Sequence, residues 1–278
     1  MKKNIKIGII QKKLKEKKID CLIVNRTDEF LNEYIAPDSE RLFWATNFSG
    51  SAGKAIINQE KFYLFVDGRY TFQAREQVDE EVITLLHLNE FASELNKNFI
   101  KENCVALDPK LHSIEEIIKM IDLTNKNETK LYFTNSNLID ELWDHKPNRE
   151  YGTIFDHPNN FAGIDSLEKI DDIMQTLKKN NLDSYFLSSL DSIAWLLNLR
   201  GNDILHTPLA FAYLLISLDN KPVLYLSISK LDTDLKLRLD KFLILKPIEE
   251  IDSIFDNLKR NLKIGFDFKN TSYYFYNL

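Results

Sequence analysis

The residues best placed to do chemistry lie between positions 47 and 70. There Asn47-Phe48-Ser49-Gly50-Ser51-Ala52-Gly53 leads into an apolar run that ends in Asp67-Gly68-Arg69-Tyr70. The chain has only eight glycines, and three of them (Gly50, Gly53 and Gly68) fall in this stretch. A run of small residues permits unusual backbone angles and the close approach of another backbone or of a ligand. Asp67-Gly68 breaks the strand-like run and delivers the Arg69 guanidinium to a strand's carboxyl end, where α/β folds usually contact ligands. On the residues alone two readings of Arg69 stay open: an ion pair with Asp67 or a neighbouring carboxylate, or contact with a ligand.

Nothing else in the sequence has the spacing of a catalytic centre. His87, His112, His145, His157 and His206 are scattered, with no second histidine or paired carboxylate at ligand spacing on a recognisable element. Asp165, Asp171 and Asp172 stand at a predicted helix start, where acidic side chains complement the dipole. No GxSxG, P-loop or GxGxxG occurs, and Cys21 and Cys104 lack an identifiable activating base. An RNase H-like nuclease would need converging carboxylates, and none converge here. The expectation is therefore no catalytic residue, no metal ligand and no cofactor site within these residues. One further constellation spans Asp191 to Asp203. It reads as a helix over 191–197 with Ser189 or Asp191 as N-cap, Arg200 in the last turn and Gly201 just past the end. In the other reading Arg200, Asn202 and Asp203 face a partner domain.

The elements that must carry these residues follow from bulk composition and pattern. At 278 residues, 44% apolar and 12% aromatic, the chain can bury two substantial cores. The net charge of −6 is spread along the sequence without a basic patch interleaved with aromatics, so no nucleic-acid partner is expected. Lys12 to Lys18 alternates with Ile9, Ile10, Leu14 and Ile19 as a helix with one wet face. Two cysteines make no disulfide framework, no secretory h-region follows Met1, and no apolar run approaches the roughly 20 residues of a membrane span. A cytoplasmic protein with no membrane partner is expected.

In order, the pattern predicts a helix over 6–18, a strand over 20–24 and a helix-like or irregular piece over 29–34. Strands follow over 54–58 and 61–66, then a helix opened by Arg69, a strand over 82–86, a helix over 90–101, a strand over 105–108 and a helix from Ser113 to Ile121 capped by Ser113. The second half repeats the first. Leu14-Lys15-Glu16-Lys17-Lys18-Ile19-Asp20 matches Leu177-Lys178-Lys179-Asn180-Asn181-Leu182-Asp183, and Val105-Ala106-Leu107-Asp108-Pro109-Lys110 matches Ile264-Gly265-Phe266-Asp267-Phe268-Lys269. The expected fold is α/β: two tandem similar domains, each a mixed RNase H-like sheet flanked by helices. Their bounds are expected at 1–135 and 164–278, joined over 136–163 by a connector with a short helix. The second repeat stops short of its last helix in an aromatic-rich segment, so the sequence is expected to be the front part of a longer polypeptide.

As a set, six pieces in order resemble the amino-terminal half of the Xaa-Pro aminopeptidases, the aminopeptidase P branch of the creatinase/prolidase superfamily. They are Asn32-Glu33-Tyr34-Ile35-Ala36-Pro37, Phe48-Ser49-Gly50-Ser51-Ala52-Gly53-Lys54-Ala55, Asp67-Gly68-Arg69-Tyr70, Asn137-Leu138-Ile139-Asp140-Glu141-Leu142-Trp143, Phe161-Ala162-Gly163, and Ile193-Ala194-Trp195-Leu196-Leu197-Asn198-Leu199-Arg200-Gly201-Asn202-Asp203. The resemblance implies two creatinase-type N-terminal domains ahead of a "pita-bread" catalytic domain, which is not in this sequence. That third domain would hold two metal ions, usually manganese (Mn2+), on two Asp, one His and two Glu. It further implies a peptide substrate, a homodimeric parent and a covering role for the first two domains in substrate access and dimerisation. One functional residue carries over, Arg69, as the arginine that contacts the bound peptide. A free-standing α/β binding or assembly module without peptidase activity is the alternative, since a fold does not fix a function.

Overall fold

A computed structural model of the chain describes residues 3–256 and 261–278. Two compact units emerge, one of Met1–Asn148 with Ser272–Tyr274, the other of Arg149–Thr271 with Phe275–Leu278.

The first unit is organised by β1 (Cys21–Asn25), whose five residues are all buried. It follows α1 (Lys3–Lys17), whose Ile7, Ile10 and Leu14 form the buried stripe at helical spacing while Ile9 of the expected stripe faces solvent at 36% exposure. After α2 (Arg41–Thr46) come β2 (Gly53–Asn58) and β3 (Phe62–Val66), then α3 (Thr71–Gln77), β4 (Thr84–His87), α4 (Phe91–Asn96), β5 (Cys104–Leu107), α5 (Ile114–Asn127) and β6 (Lys130–Phe133). The six strands line up as β4-β3-β2-β1-β5-β6. β1 runs antiparallel to β2 with Ile23 opposite Ile56, and β2 antiparallel to β3; β1/β5, β3/β4 and β5/β6 are parallel. Alternation sends Leu22, Val24, Ala55, Ile57 and Leu64 to a core shared with α1, α2 and α3. It sends Cys21, Ile23, Ile56, Phe65 and Val105 to a second core under α4 and α5. Both faces of the sheet are thus covered.

The second unit contains β7 (Ile154–Asp156), α6 (Asn159–Ala162), α7 (Ser166–Lys179), β8 (Ser184–Leu187), α8 (Leu190–Leu197), β9 (Leu199–Gly201), β10 (Ala212–Ser217) and β11 (Val223–Leu226). It continues with α9 (Thr233–Asp240), β12 (Ile244–Pro247), β13 (Ile264–Phe266) and, from Phe275 on, α10 (Tyr273–Asn277). Its five-stranded sheet has the order β12-β11-β10-β8-β13. With β8 in place of β1, β10/β8 and β10/β11 are antiparallel while β11/β12 and β13/β8 are parallel. That is the pattern of β4-β3-β2-β1-β5 in the first sheet, with no counterpart of β6 among the described residues, and it makes the sequence repeat a repeat of topology.

Several boundaries differ from the sequence reading for local reasons. Residues 29–34 take the irregular alternative: the buried Asp28 carboxylate accepts the amides of Phe30 and Asn32 and the Asn32 side chain, a turn that competes with helix. Burial pushes the Asp28 carboxyl up to about 6. β6 falls between the expected helix ending at Ile121 and the connector expected at 136–163, where no element was expected; its Lys130-Leu131-Tyr132-Phe133 is half-exposed at a sheet edge and carries little apolar periodicity. Leu138 and Ile139 of that stretch pack in the first core. Gly201 is not the residue past α8. Asn198 ends the helix in the left-handed region at φ 50°, and Gly201 belongs to β9, paired with β7, where a Cβ would lie 2.6 Å from that of Ala210. Asparagine tolerates that backbone, and its side chain donates to Asn159 Oδ1 and Ile164 O while accepting from Lys169 Nζ.

Candidate functional site

The site grows from the end of β3. Asp67 is extended and N-caps a single 3-10 turn, Gly68–Tyr70, by accepting the Arg69 amide at 2.9 Å on Oδ1. The same oxygen accepts Arg69 Nε at 2.8 Å. The ion-pair reading of Arg69 therefore holds, but for one edge of the guanidinium only. Nη1 and Nη2 have no hydrogen-bond partner among the described residues, and the side chain is 67% exposed. Arg69 Cζ lies 5.5 Å from the centre of the Tyr70 ring, which backs it. The guanidinium beside Asp67 holds that carboxyl below the usual carboxylate range, and Asp67 in turn raises Arg69.

Tyr70 is itself tied down. Ser51 Oγ donates to Glu33 Oε1 at 3.1 Å, so in the 2.8 Å contact between Ser51 Oγ and Tyr70 Oη the phenol must be the donor. Arg26 braces both loops, with Nη1 donating to Glu33 O at 2.7 Å and to Ser51 O at 3.4 Å. The glycine stretch has a packing role rather than that of a cradle. Phe48, fully buried, meets the Tyr70 ring edge-on at 5.8 Å. A Cβ on Gly50 would lie 2.2 Å from Phe48 Cζ and 2.9 Å from Tyr70 Cγ, so only glycine lets the two rings meet. Ser49 joins the loop to α3 by donating its amide to Gln77 Oε1 and accepting Gln73 and Gln77 Nε2 on its hydroxyl.

These groups can bind but not react. An arginine stays protonated and offers no base, and Ser51 donates to a carboxylate rather than to a histidine that could activate it. Cys21 and Cys104 lie on opposite faces of the sheet, since Val105 is the register partner of Cys21; burial pushes the Cys21 thiol far up. His112 is buried between Asn25 and Glu116, and Lys54 holds the second oxygen of Glu116 at 2.7 Å. Although burial alone would raise it, the Glu116 carboxyl is carried well below its ordinary value by His112 and Lys54. Asp165 N-caps α7, as expected of an acidic residue there. Arg200 Nη1 donates to Ala194 O and Leu199 O at the end of α8, Asn202 to Thr153 Oγ1, and Asp203 accepts the amides of Gly152 and Phe211, so all three find partners inside the second unit. Among the described residues no group of three or more His, Cys, Asp or Glu side chains could hold a metal ion. No helix among them is long and apolar enough to cross a membrane.

Sequence reasoning found Arg69 and its motif but not the chain Glu33–Ser51–Tyr70 beneath it. Glu33 and Ser51 sit 18 positions apart with no periodicity to join them; the only signal is that each lies in a segment, 32–37 and 48–55, that carries the family resemblance.

Two versions of the creatinase/prolidase N-terminal domain match the chain, one at residues 6–136 and the other at 145–278. A Paracoccidioides lutzii protein named "Probable Xaa-Pro aminopeptidase P" is 34% identical over 259 residues, 91% of this chain and 41% of its own length. A protein of the same name from Laccaria bicolor is 28% identical over 95% of this chain and 42% of its own. The chain thus spans about two-fifths of the length of the curated relatives it matches. Among solved structures, an X-prolyl aminopeptidase from Caenorhabditis elegans, described as a cytosolic enzyme with a di-nuclear active site, superposes with a TM-score of 0.87. At 22% identity it covers 92% of this chain and 44% of that one, a likeness of fold.

Proposed function

The chain belongs to the creatinase/prolidase family, with two of its N-terminal domains in tandem, and we propose that it is the non-catalytic portion of a Xaa-Pro aminopeptidase. The parent would release the first residue from peptides with proline second. The observation that carries this reading is the 34% identity that runs through both domains, across 91% of this chain, to a protein of that name. One shared domain would speak for a fold; both in tandem, in one relative, speak for the enzyme.

Among the described residues no group of three or more His, Cys, Asp or Glu side chains could hold a metal ion, so we assign the two metal ions, as Mn2+, to a further domain. Their part is to shape access to that centre, to contribute to the dimer and to hold the peptide through Arg69. A peptide offers carbonyls and a carboxylate, and a guanidinium with one edge fixed by Asp67 and the rest exposed presents planar, parallel donors to them. A cytoplasmic location accords with the cytosolic description of the worm enzyme.

The test is enzymatic. A polypeptide that continues this sequence to the length of its relatives, purified with Mn2+, is expected to release the first residue from Xaa-Pro peptides and to leave the matching Xaa-Ala peptides intact. If it cleaves neither, the free-standing binding or assembly module is the better account.

A further inference from the structure

The turn that presents Arg69 also carries Phe72. At 82% exposure it is the most exposed of the large apolar side chains described. It lies in the first turn of α3, three residues after Arg69, where side chains on tight helical turns are neighbours on one surface. Its neighbours explain why α3 sits where it does without its help: Ala74 is fully buried in the first core, and Gln73 and Gln77 grip Ser49. Phe72 makes no aromatic contact among the described residues. A fixed helix thus holds a large ring out to water three residues after a guanidinium whose Nη1 and Nη2 are open.

We propose that Arg69 and Phe72 form a two-point site for the C-terminal residue of a short peptide. The carboxylate would lie across Nη1 and Nη2, and an apolar side chain of the same residue would rest on the Phe72 ring. This rests on the reading of the chain as the substrate-holding part of a peptidase and specifies which part of the peptide is held. A carboxylate is favoured over a backbone carbonyl because two coplanar oxygens match two parallel N–H donors. Asp67 already offsets part of the positive charge, so the contact discriminates by geometry more than by net attraction.

The 278-residue chain itself serves for the test, since binding requires neither metal nor turnover. Labelled with 15N, it is titrated with Ala-Pro-Leu, with the C-terminal amide of that peptide and with Ala-Pro-Ser, and dissociation constants are read from the amide signals of residues 69–73. The free acid is expected to bind about fivefold tighter than the amide, and leucine about threefold tighter than serine. Phe72→Ala, a surface change, should erase the leucine preference and keep the acid preference; Arg69→Ala should do the reverse. A leucine-to-serine ratio unmoved by Phe72→Ala, or signal changes confined to residues remote from this turn, would overturn the site. If the longer polypeptide nevertheless cleaves Xaa-Pro peptides, the enzyme reading stands without it.

Discussion

Arg41→Ala is expected to cost the first unit about 3 kcal/mol of unfolding free energy, at the low end of what breaking a buried ion pair costs. Arg41 is 3% exposed. Its Nε and Nη2 meet Asp140 Oδ1 and Oδ2 at 2.9 and 3.0 Å, and Nη2 also reaches Glu29 Oε1 at 2.9 Å. This fork bridges 99 positions of sequence and holds the segment of Leu138 and Ile139 against the core. Removing the arginine takes the guanidinium away from two carboxylates at once. Both side chains are about a quarter exposed, so water and Lys146, 2.7 Å from Asp140 Oδ2, recover part of the loss, which is why the low end applies. Arg41→Lys should recover little, since an ammonium cannot span both oxygens. Urea unfolding followed by tryptophan fluorescence reads this directly, because Trp44 and Trp143, three residues on from Arg41 and Asp140, hold their rings 6.2 Å apart and tilted by 30°. A loss below about 1 kcal/mol would place the pair among ordinary surface contacts.

Arg69→Ala, in the polypeptide extended to the length of its relatives, should lower kcat/KM for a Xaa-Pro peptide by about 10- to 100-fold, the worth of one charge-assisted pair of hydrogen bonds. The loss should fall mainly on KM, because the role proposed for Arg69 is to hold the substrate and not to take part in bond breaking. Bound metal should be unchanged. The side chain is two-thirds exposed and its only hydrogen-bond partner described is Asp67, so the fold should tolerate the change. Steady-state kinetics with metal analysis on the same preparation decide the matter. Unaltered kcat/KM, or a loss of metal in step with activity, would contradict the assignment.

The physics of the core strands was written locally and could be read. In β1 and β2 the alternation of Leu22, Ile23 and Val24, and of Ala55, Ile56 and Ile57, assigns each side chain to one of two cores before any contact is known. The duplication was visible because both copies need the same helix, the same central strand and the same closing strand in order. β6 escaped because an edge strand with one side in water needs no continuous apolar run. The helix over 191–197 was placed where α8 ends, but the residue that closes it was misassigned because Asn198 and Gly201 can each accept a left-handed backbone; the choice was made by the packing of Gly201 on Ala210 and by the partners around the Asn198 amide. Arg69 could be found as a motif. That its Nε would be held and its Nη atoms left open depends on the Asp67 cap, and the support from Glu33 through Ser51 to Tyr70 exists only once three loops meet. The pair of Arg41 and Asp140 is likewise invisible until the chain is folded.

The central claim is that these two domains hold a peptide for chemistry performed elsewhere. Its most direct test is to incubate the purified 278-residue chain with Mn2+ and a Xaa-Pro peptide, then measure released amino acid and bound metal in the same sample. The account expects no release above the buffer control and no stoichiometric manganese. Steady release of the first residue, or two manganese ions retained per chain after gel filtration, would contradict it.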